Sequence, residues 1–462
     1  MEQPELVVLD ARHARHRARS LVAVVVSFAL AGLTACSDDG PSGSSSTPPA
    51  TAPATTTSAP PDGTSSPTSA PATSPVPDGT DPPTSDPVTT SDPASPSTTL
   101  VAPQGDDFYT PPDPLPGSAN GDLIWARPIE PPPIGTTAWL VLYRSESVGG
   151  DPVAVSGVVV APAGDAGTAR PVLSWAHGTT GLADRCAPSK SFGSTSEALL
   201  ASAIVALGFT YVATDYEGLG TPGVHPYLVG QSEGRGVLDI VRAAAQLAGT
   251  GVDAASPVAI FGHSQGGHAA LMAGEMAATY APELDVVGTV AGAPPGDIAL
   301  IERGTGAASG FAGGGFGLML DAGFAAAYPD LPADALVTEE GLDVLAAAAD
   351  TCTAEAFSLA EDSPDIQRDG TEHAGWQAVF EANSPGGVAP SAPVLILHGS
   401  ADNVVPPILS ELIEADYCQL GVTVQRTVYE GADHGSVLAQ GFAEVQTWIM
   451  ARLAGEPPPT SC

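Results

Sequence analysis

The pentapeptide Gly262-His263-Ser264-Gln265-Gly266 constrains this chain more than any other stretch. Before it runs a short apolar segment, Ser256 to Phe261, rich in strand formers. After it, Gly267 to Ala278 is Ala-rich, carries Leu271 and Met272, and reads as a helix. Strand, G-x-S-x-G, helix is the context in which the motif becomes a nucleophile elbow. Glycines on either side permit a turn that a Cβ would obstruct. The serine is then lifted to the start of a helix, where the first backbone N–H groups lack intrahelical partners and can face a developing oxyanion.

The surrounding chain supplies the scaffold such an elbow needs. Ala138–Tyr143 and Val153–Val160 read as antiparallel strands, and Pro171–Ala176 as a buried strand. A helix over Ser196–Leu207, a strand over Thr210–Thr214 and an amphipathic helix over Glu233–Leu247 follow, the last with Val237, Ile240, Val241 and Leu247 at helical spacing. Beyond the elbow come strands at Leu284–Val290, Pro393–Leu397 and Val422–Tyr429, then a terminal helix over Ser436–Leu453. Alternating strands and helices predict an α/β fold, a mostly parallel central sheet with helices on both faces. Residues from about 296 to 390 interrupt the alternation with helix-like sequence. The Gly-rich run there, with Phe311, Phe316, Leu318, Met319 and Leu320, suits either an apolar lid or a structural insert.

A serine hydroxyl is a weak nucleophile until an imidazole takes its proton. In this arrangement the acid and then the histidine follow the serine in the chain. His434, after a late strand and before the last helix, is the predicted base. His268 lies too near the serine along its own helix, His373 falls in the insert, and His398 directly follows a strand and reads as structural. Asp402, in a short polar loop one strand before His434, is the predicted acid, with Asp297 as the alternative. The oxyanion needs two donors. The backbone N–H of Gln265 is one; the other is placed in the loop His177-Gly178-Thr179-Thr180-Gly181, at Thr179, with Thr180 next.

Several separated motifs in this order resemble the secretory lipases of the Candida antarctica lipase A type. They are Phe108-Tyr109-Thr110-Pro111-Pro112, Trp175 to Gly181, Ala213 to Pro222, Gly262 to His268 and Gly431 to His434. The resemblance spans roughly 105–462. It implies an α/β-hydrolase fold with an inserted helical cap and a Ser264–Asp402–His434 triad. The activity implied is hydrolysis of carboxylic esters, with acylglycerols or similar lipids as substrates and no cofactor. An acyltransferase or peptidase acting on cell-envelope substrates is the alternative on the same scaffold. Cys186, Cys352, Cys418 and Cys462 leave three pairings open by spacing. The resemblance implies Cys186–Cys352 and Cys418–Cys462, the first tying cap to core.

The N-terminal residues predict an exported protein. Arg12, Arg15, Arg17 and Arg19 precede an apolar stretch from Leu21 to Gly32, too short to span a bilayer comfortably. Leu33-Thr34-Ala35-Cys36 resembles a bacterial lipobox, so residues 1–36 are expected to be a leader cleaved before a lipidated Cys36. Residues 37–105, almost wholly Ser, Thr, Pro, Ala, Gly and Asp, predict a disordered stalk, and 106–462 the hydrolase domain. With 52 acidic against 15 basic residues the net charge is −37, which argues against nucleic-acid binding through a basic face. Membrane contact is therefore expected through the lipid anchor, and the chain is expected to be a monomer. No Cys/His cluster has zinc-ligand spacing, so no metal site is predicted.

Overall fold

In a computed structural model of the protein, residues 101–164, 167–305 and 314–462 are described. The leader, Cys36, nearly all of the predicted stalk and Phe311 lie outside them. The strands are β1 (Leu123–Pro128), β2 (Thr136–Glu146), β3 (Pro152–Pro162), β4 (Val172–Ala176), β5 (Thr210–Thr214), β6 (Pro257–His263), β7 (Asp285–Gly292), β8 (Val394–Gly399) and β9 (Val424–Tyr429). The helices are α1 (Ser196–Ala206), α2 (Gly230–Ala245), α3 (Gln265–Tyr280), α4 (Ile298–Thr305), α5 (Gly314–Ala327), α6 (Glu339–Ala348), α7 (Thr353–Asp362), α8 (Ala374–Ala382), α9 (Pro407–Gln419) and α10 (Ser436–Leu453).

The described strands form one nine-stranded sheet in the order β1-β2-β3-β5-β4-β6-β7-β8-β9. β1, β2 and β3 pair antiparallel and β3 meets β5 antiparallel, whereas every pairing from β5 to β9 is parallel. Central strands β4, β5 and β8 are buried along their whole length. That burial explains why they read as continuous apolar runs rather than alternating ones. The period-2 geometry still sorts their side chains. Ala259 and Phe261 of β6 pack with α1 and α10, while Val258 and Ile260 pack with α2 and α3. Helix α9 covers the far end of that second face, with Ile413 and Tyr417 against Ile396 and Val424.

Two elements differ from the sequence expectations. Phe108 and Tyr109, which lie in a Pro-rich segment that reads as an extended lead-in to the first strands, close a 3-10 turn (Gly105–Tyr109) with both rings buried. The Trp125 indole donates to the Phe108 carbonyl at 3.0 Å, so β1, which has no clear periodic signal, is what holds that turn. Helix α9 was also not legible, because its first residues follow Pro406 directly in what reads as a polar loop.

Between β7 and β8 the chain leaves the sheet and builds α4 to α8 around a separate apolar cluster. Phe324, Trp376 and Phe380 sit at its centre, and Tyr227, Leu228 and Val229 of the core segment join it. Leu318, Met319 and Leu320 are buried in this cluster, so most of the described Gly-rich run is helix-core sequence rather than exposed lid. Among the described apolar residues named in that run, Phe316 alone faces the cleft described below.

Two carboxyls, Glu302 of α4 and Asp321 of α5, meet inside that cluster. Gly370 N–H donates to Glu302 and the Gln367 amide to Asp321. Burial pushes Glu302 up to about 7, with Asp369 adding to the rise. Burial and then repulsion by Glu302 push Asp321 up as well. A carboxyl whose folded pKa is raised holds its proton in the folded state longer than in the unfolded one. The stabilisation is complete below pH 4.5 and is lost as pH climbs through about 7. The unfolding temperature is therefore expected to fall between pH 5 and 8, and Asp321→Asn to flatten that dependence. Equal slopes for the two proteins would remove the pair as its source.

Candidate active site

The predicted residues gather at the carboxyl ends of the parallel strands, the edge where open α/β sheets bind ligands. Ser264 joins β6 to α3 with φ 58° and ψ −126°, a conformation L-residues avoid. It persists because its neighbours permit nothing else. A Cβ on Gly262 would lie 1.9 Å from the Gly266 carbonyl oxygen, and one on Gly266 would lie 1.9 Å from that of Ala176. The Ser264 N–H is tied to the Gly292 carbonyl at 2.9 Å, anchoring the elbow to β7.

His434 and Asp402 are brought together by loops that are stitched to one another. Ala401 N–H donates to Ala432 O and Ser400 N–H to Tyr429 O, each at 2.9 Å. His434 Nδ1 is then 2.7 Å from Asp402 Oδ2. The other carboxylate oxygen accepts the N–H groups of Val404 and Val405, both at 2.9 Å. Burial by itself would raise the Asp402 carboxyl. Hydrogen bonds from His398 and His434, with the Val405 N–H, outweigh it and hold the group well below the ordinary carboxylate range. The alternative acid is engaged elsewhere: Asp297 caps α4 through Leu300 N–H. Asp433, next to His434 in the chain, caps α10 through Ser436 N–H.

Two histidines acquire positions that the sequence did not reveal. His398, read as structural, sends Nε2 to the Val405 carbonyl at 2.9 Å and lies 3.3 Å from Asp402 Oδ2. It approaches Asp402 at the same oxygen that His434 meets. His263, the second residue of the pentapeptide, donates from Nε2 to the His434 carbonyl at 2.7 Å, and the two rings stand 4.7 Å apart. Burial and then the nearby His434 push His263 down to about 3, so it is a neutral donor. The His263 contact crosses 171 positions to another loop, whereas His398 meets the loop that directly follows its own strand.

Gln265, the predicted oxyanion donor through its N–H, has its side chain locked below the elbow. The amide donates to Glu233 Oε1 at 2.7 Å and lies 2.8 Å from His225 Nε2. His268 sits in the same buried cluster, 3.1 Å from Glu233 and 2.7 Å from the Asn383 carbonyl. Both of its ring nitrogens are engaged there. The Thr179 loop passes close to the nucleophile: a Cβ on Gly178 would lie 3.7 Å from Ser264 Cβ. Thr179 Oγ1 is 2.8 Å from the Tyr227 hydroxyl. His373, in the cap, accepts from Trp376 N–H at the start of α8.

Ser264 opens onto a cleft walled by Leu228, Ile301, Phe316, Val405 and Leu409. Core and cap both contribute, and the walls are almost wholly apolar. Disulfides join Cys186 to Cys352 and Cys418 to Cys462. Among the described residues no group of His, Cys, Asp and Glu could hold a metal ion.

Known proteins bear on this arrangement. A family model described as secretory lipase matches residues 185–461. A Mycobacterium tuberculosis protein described as a probable inactive lipase is 29% identical, over 77% of this chain and 84% of its own. A secreted triacylglycerol lipase of Malassezia globosa is 25% identical, over 77% and 81%. The crystal structure of Candida antarctica lipase A superposes with a TM-score of 0.66 at 23% identity, covering 77% of this chain and 87% of that one. At that identity the superposition speaks for the fold, an α/β-hydrolase.

Proposed function

The chain belongs to the secretory lipase family, a family of carboxylic ester hydrolases, and from that premise we propose that Ser264, His434 and Asp402 cleave esters of apolar acyl chains outside the cell. The observation that carries this reading is the 2.7 Å His434–Asp402 contact beside a strained serine that opens onto an apolar cleft. Asp402, held ionised, orients the imidazole and stabilises the imidazolium. Nε2 of His434 takes the Ser264 proton as the oxygen attacks the ester carbonyl. The N–H groups of Gln265 and Thr179 receive the oxyanion at the mouth of α3. His434 then protonates the leaving alcohol, and a water activated by the same imidazole releases the acid. One relative is described as probably inactive; this chain carries each residue the cycle uses, which favours catalysis over a binding role on the same scaffold.

The two disulfides and the secreted relatives agree with an exported protein. We read Cys36 as the lipidated residue that keeps it at the outer face of the membrane. One experiment addresses both statements. The chain, expressed with its leader, is assayed on p-nitrophenyl esters from acetate to palmitate and on emulsified triglyceride, in membrane and medium fractions. Hydrolysis extending beyond about eight carbons, partitioning with membranes and released by Cys36→Ala, is the expected result. Hydrolysis of short esters alone would replace lipase with esterase, and activity already free in the medium would remove the anchor.

A further inference from the structure

The loop that carries the second oxyanion donor is held from the cap as much as from the core. Gly181 forms an antiparallel bridge with Cys352. The Leu182 N–H donates to the Thr351 carbonyl at 2.8 Å. Thr353, the first residue of α7, reaches back along the loop: its N–H donates to Thr180 O at 3.1 Å and its hydroxyl to Thr179 O at 3.4 Å. The Cys186–Cys352 disulfide closes the same junction, one residue before Thr353. No substitution is tolerated at the crossing point, because a Cβ on Gly181 would lie 2.4 Å from Cys352 Cα.

A trans peptide unit is planar, with its C=O and N–H pointing in opposite directions. Drawing the Thr179 carbonyl toward Thr353 therefore turns the Thr180 N–H away from the cap, and drawing the Thr180 carbonyl does the same for the Gly181 N–H. On the side facing the core, Gly178 runs beside Ser264, and Thr179 Oγ1 is fixed by Tyr227. Among the described residues neither the Thr179 nor the Thr180 N–H has a protein acceptor. An N–H held without an acceptor beside the nucleophile is what an oxyanion donor requires before substrate arrives.

We infer that Thr353 is a positioning residue for the loop that carries the second oxyanion donor, fixing the two peptide units that follow Thr179 and thereby the run of N–H groups at Thr179 and Thr180. The Cys186–Cys352 disulfide serves to hold it against that loop. The cap thus sets the geometry of the transition-state site in addition to walling the cleft. This rests on the triad reading above, and the test separates the two.

Thr353 is the first helical residue of α7, where proline is accepted, and Cys352 before it is extended (φ −86°, ψ 168°), as a residue before proline must be. Thr353→Pro therefore deletes both donors while suiting the helix. Thr353→Val deletes the hydroxyl alone, and Thr353→Ser keeps both. Active serines are titrated with a fluorophosphonate, and kcat and KM are measured per titrated site on a soluble ester. The expected result is a graded loss of kcat, slight for Val and about tenfold or more for Pro, with KM unchanged and Ser restored to the parent value. Phosphonylation of Ser264 slows in the same order, since the phosphoryl oxygen uses the same donors. An undiminished kcat per titrated site in Thr353→Pro would overturn the inference even if its unfolding temperature fell. A parent protein that neither hydrolyses esters nor reacts with the probe would instead overturn the triad reading.

Discussion

Ser264→Ala is expected to lower kcat by about 10⁶-fold, the order found when a serine hydrolase loses its nucleophile, with the fold intact. The same position yields a second, opposite readout. At φ 58° and ψ −126° the serine occupies backbone space that only glycine visits freely. Strain of this kind is worth about 1–3 kcal/mol and persists where packing leaves no alternative. Ser264→Gly should therefore be as inactive as the alanine variant yet more stable than the parent by about 1 kcal/mol. Urea unfolding followed by tryptophan fluorescence reads the difference as a higher midpoint at unchanged slope. Loss of activity with no gain in midpoint would mean that the elbow stores no strain.

Asp402→Asn is expected to cost about 10⁴-fold in kcat while leaving KM nearly unchanged, because the substitution keeps the shape and reverses a hydrogen-bond role. The asparagine carbonyl can still accept the N–H groups of Val404 and Val405, which face one oxygen of the native carboxylate. Its amide nitrogen is then directed at His434 Nδ1, 2.7 Å away, and at His398 Nε2. Two donors cannot face each other, so His434 takes the tautomer with its proton on Nε2. That nitrogen can no longer receive the serine proton. Asp402→Glu or a His398 variant would move the acid without inverting the tautomer, so smaller losses are expected from them. A D402N protein within tenfold of the parent would place the acid elsewhere, with Asp297 the next to test.

How far the site could be read in advance depended on the range over which each constraint acts. The elbow was legible because its requirements are consecutive in the chain: an apolar strand, two glycines in contact with backbone atoms, a helix whose first N–H groups are free. Asp402 and His434 were legible because chain order is preserved in this arrangement, each in a loop leaving a strand that reads as strand. His263 and His398 were not. His263 reaches His434 across 171 positions, a gap closed only by the sheet order that brings the end of β6 near the loop after β9. His398 lies four residues before Asp402, but a histidine at a strand end has many possible partners. Thr353 belongs to the same class, since its contact with Thr179 spans 174 positions and crosses from cap to core.

Local covalent geometry and periodicity were therefore enough to determine the mostly parallel sheet and the turn at Ser264, while the positions of Asp402 and His434 followed from the chain order typical of the arrangement. The sheet and the turn are written in contacts between residues close in sequence, or in burial patterns that repeat every two or four residues. The tertiary structure alone decided how the site is braced: a neutral His263 against the His434 loop, and the cap residue Thr353 drawn against the Thr179 loop. Such contacts arise where two distant segments pack, and their partners are set by the curvature and register of the whole sheet rather than by either segment's own residues.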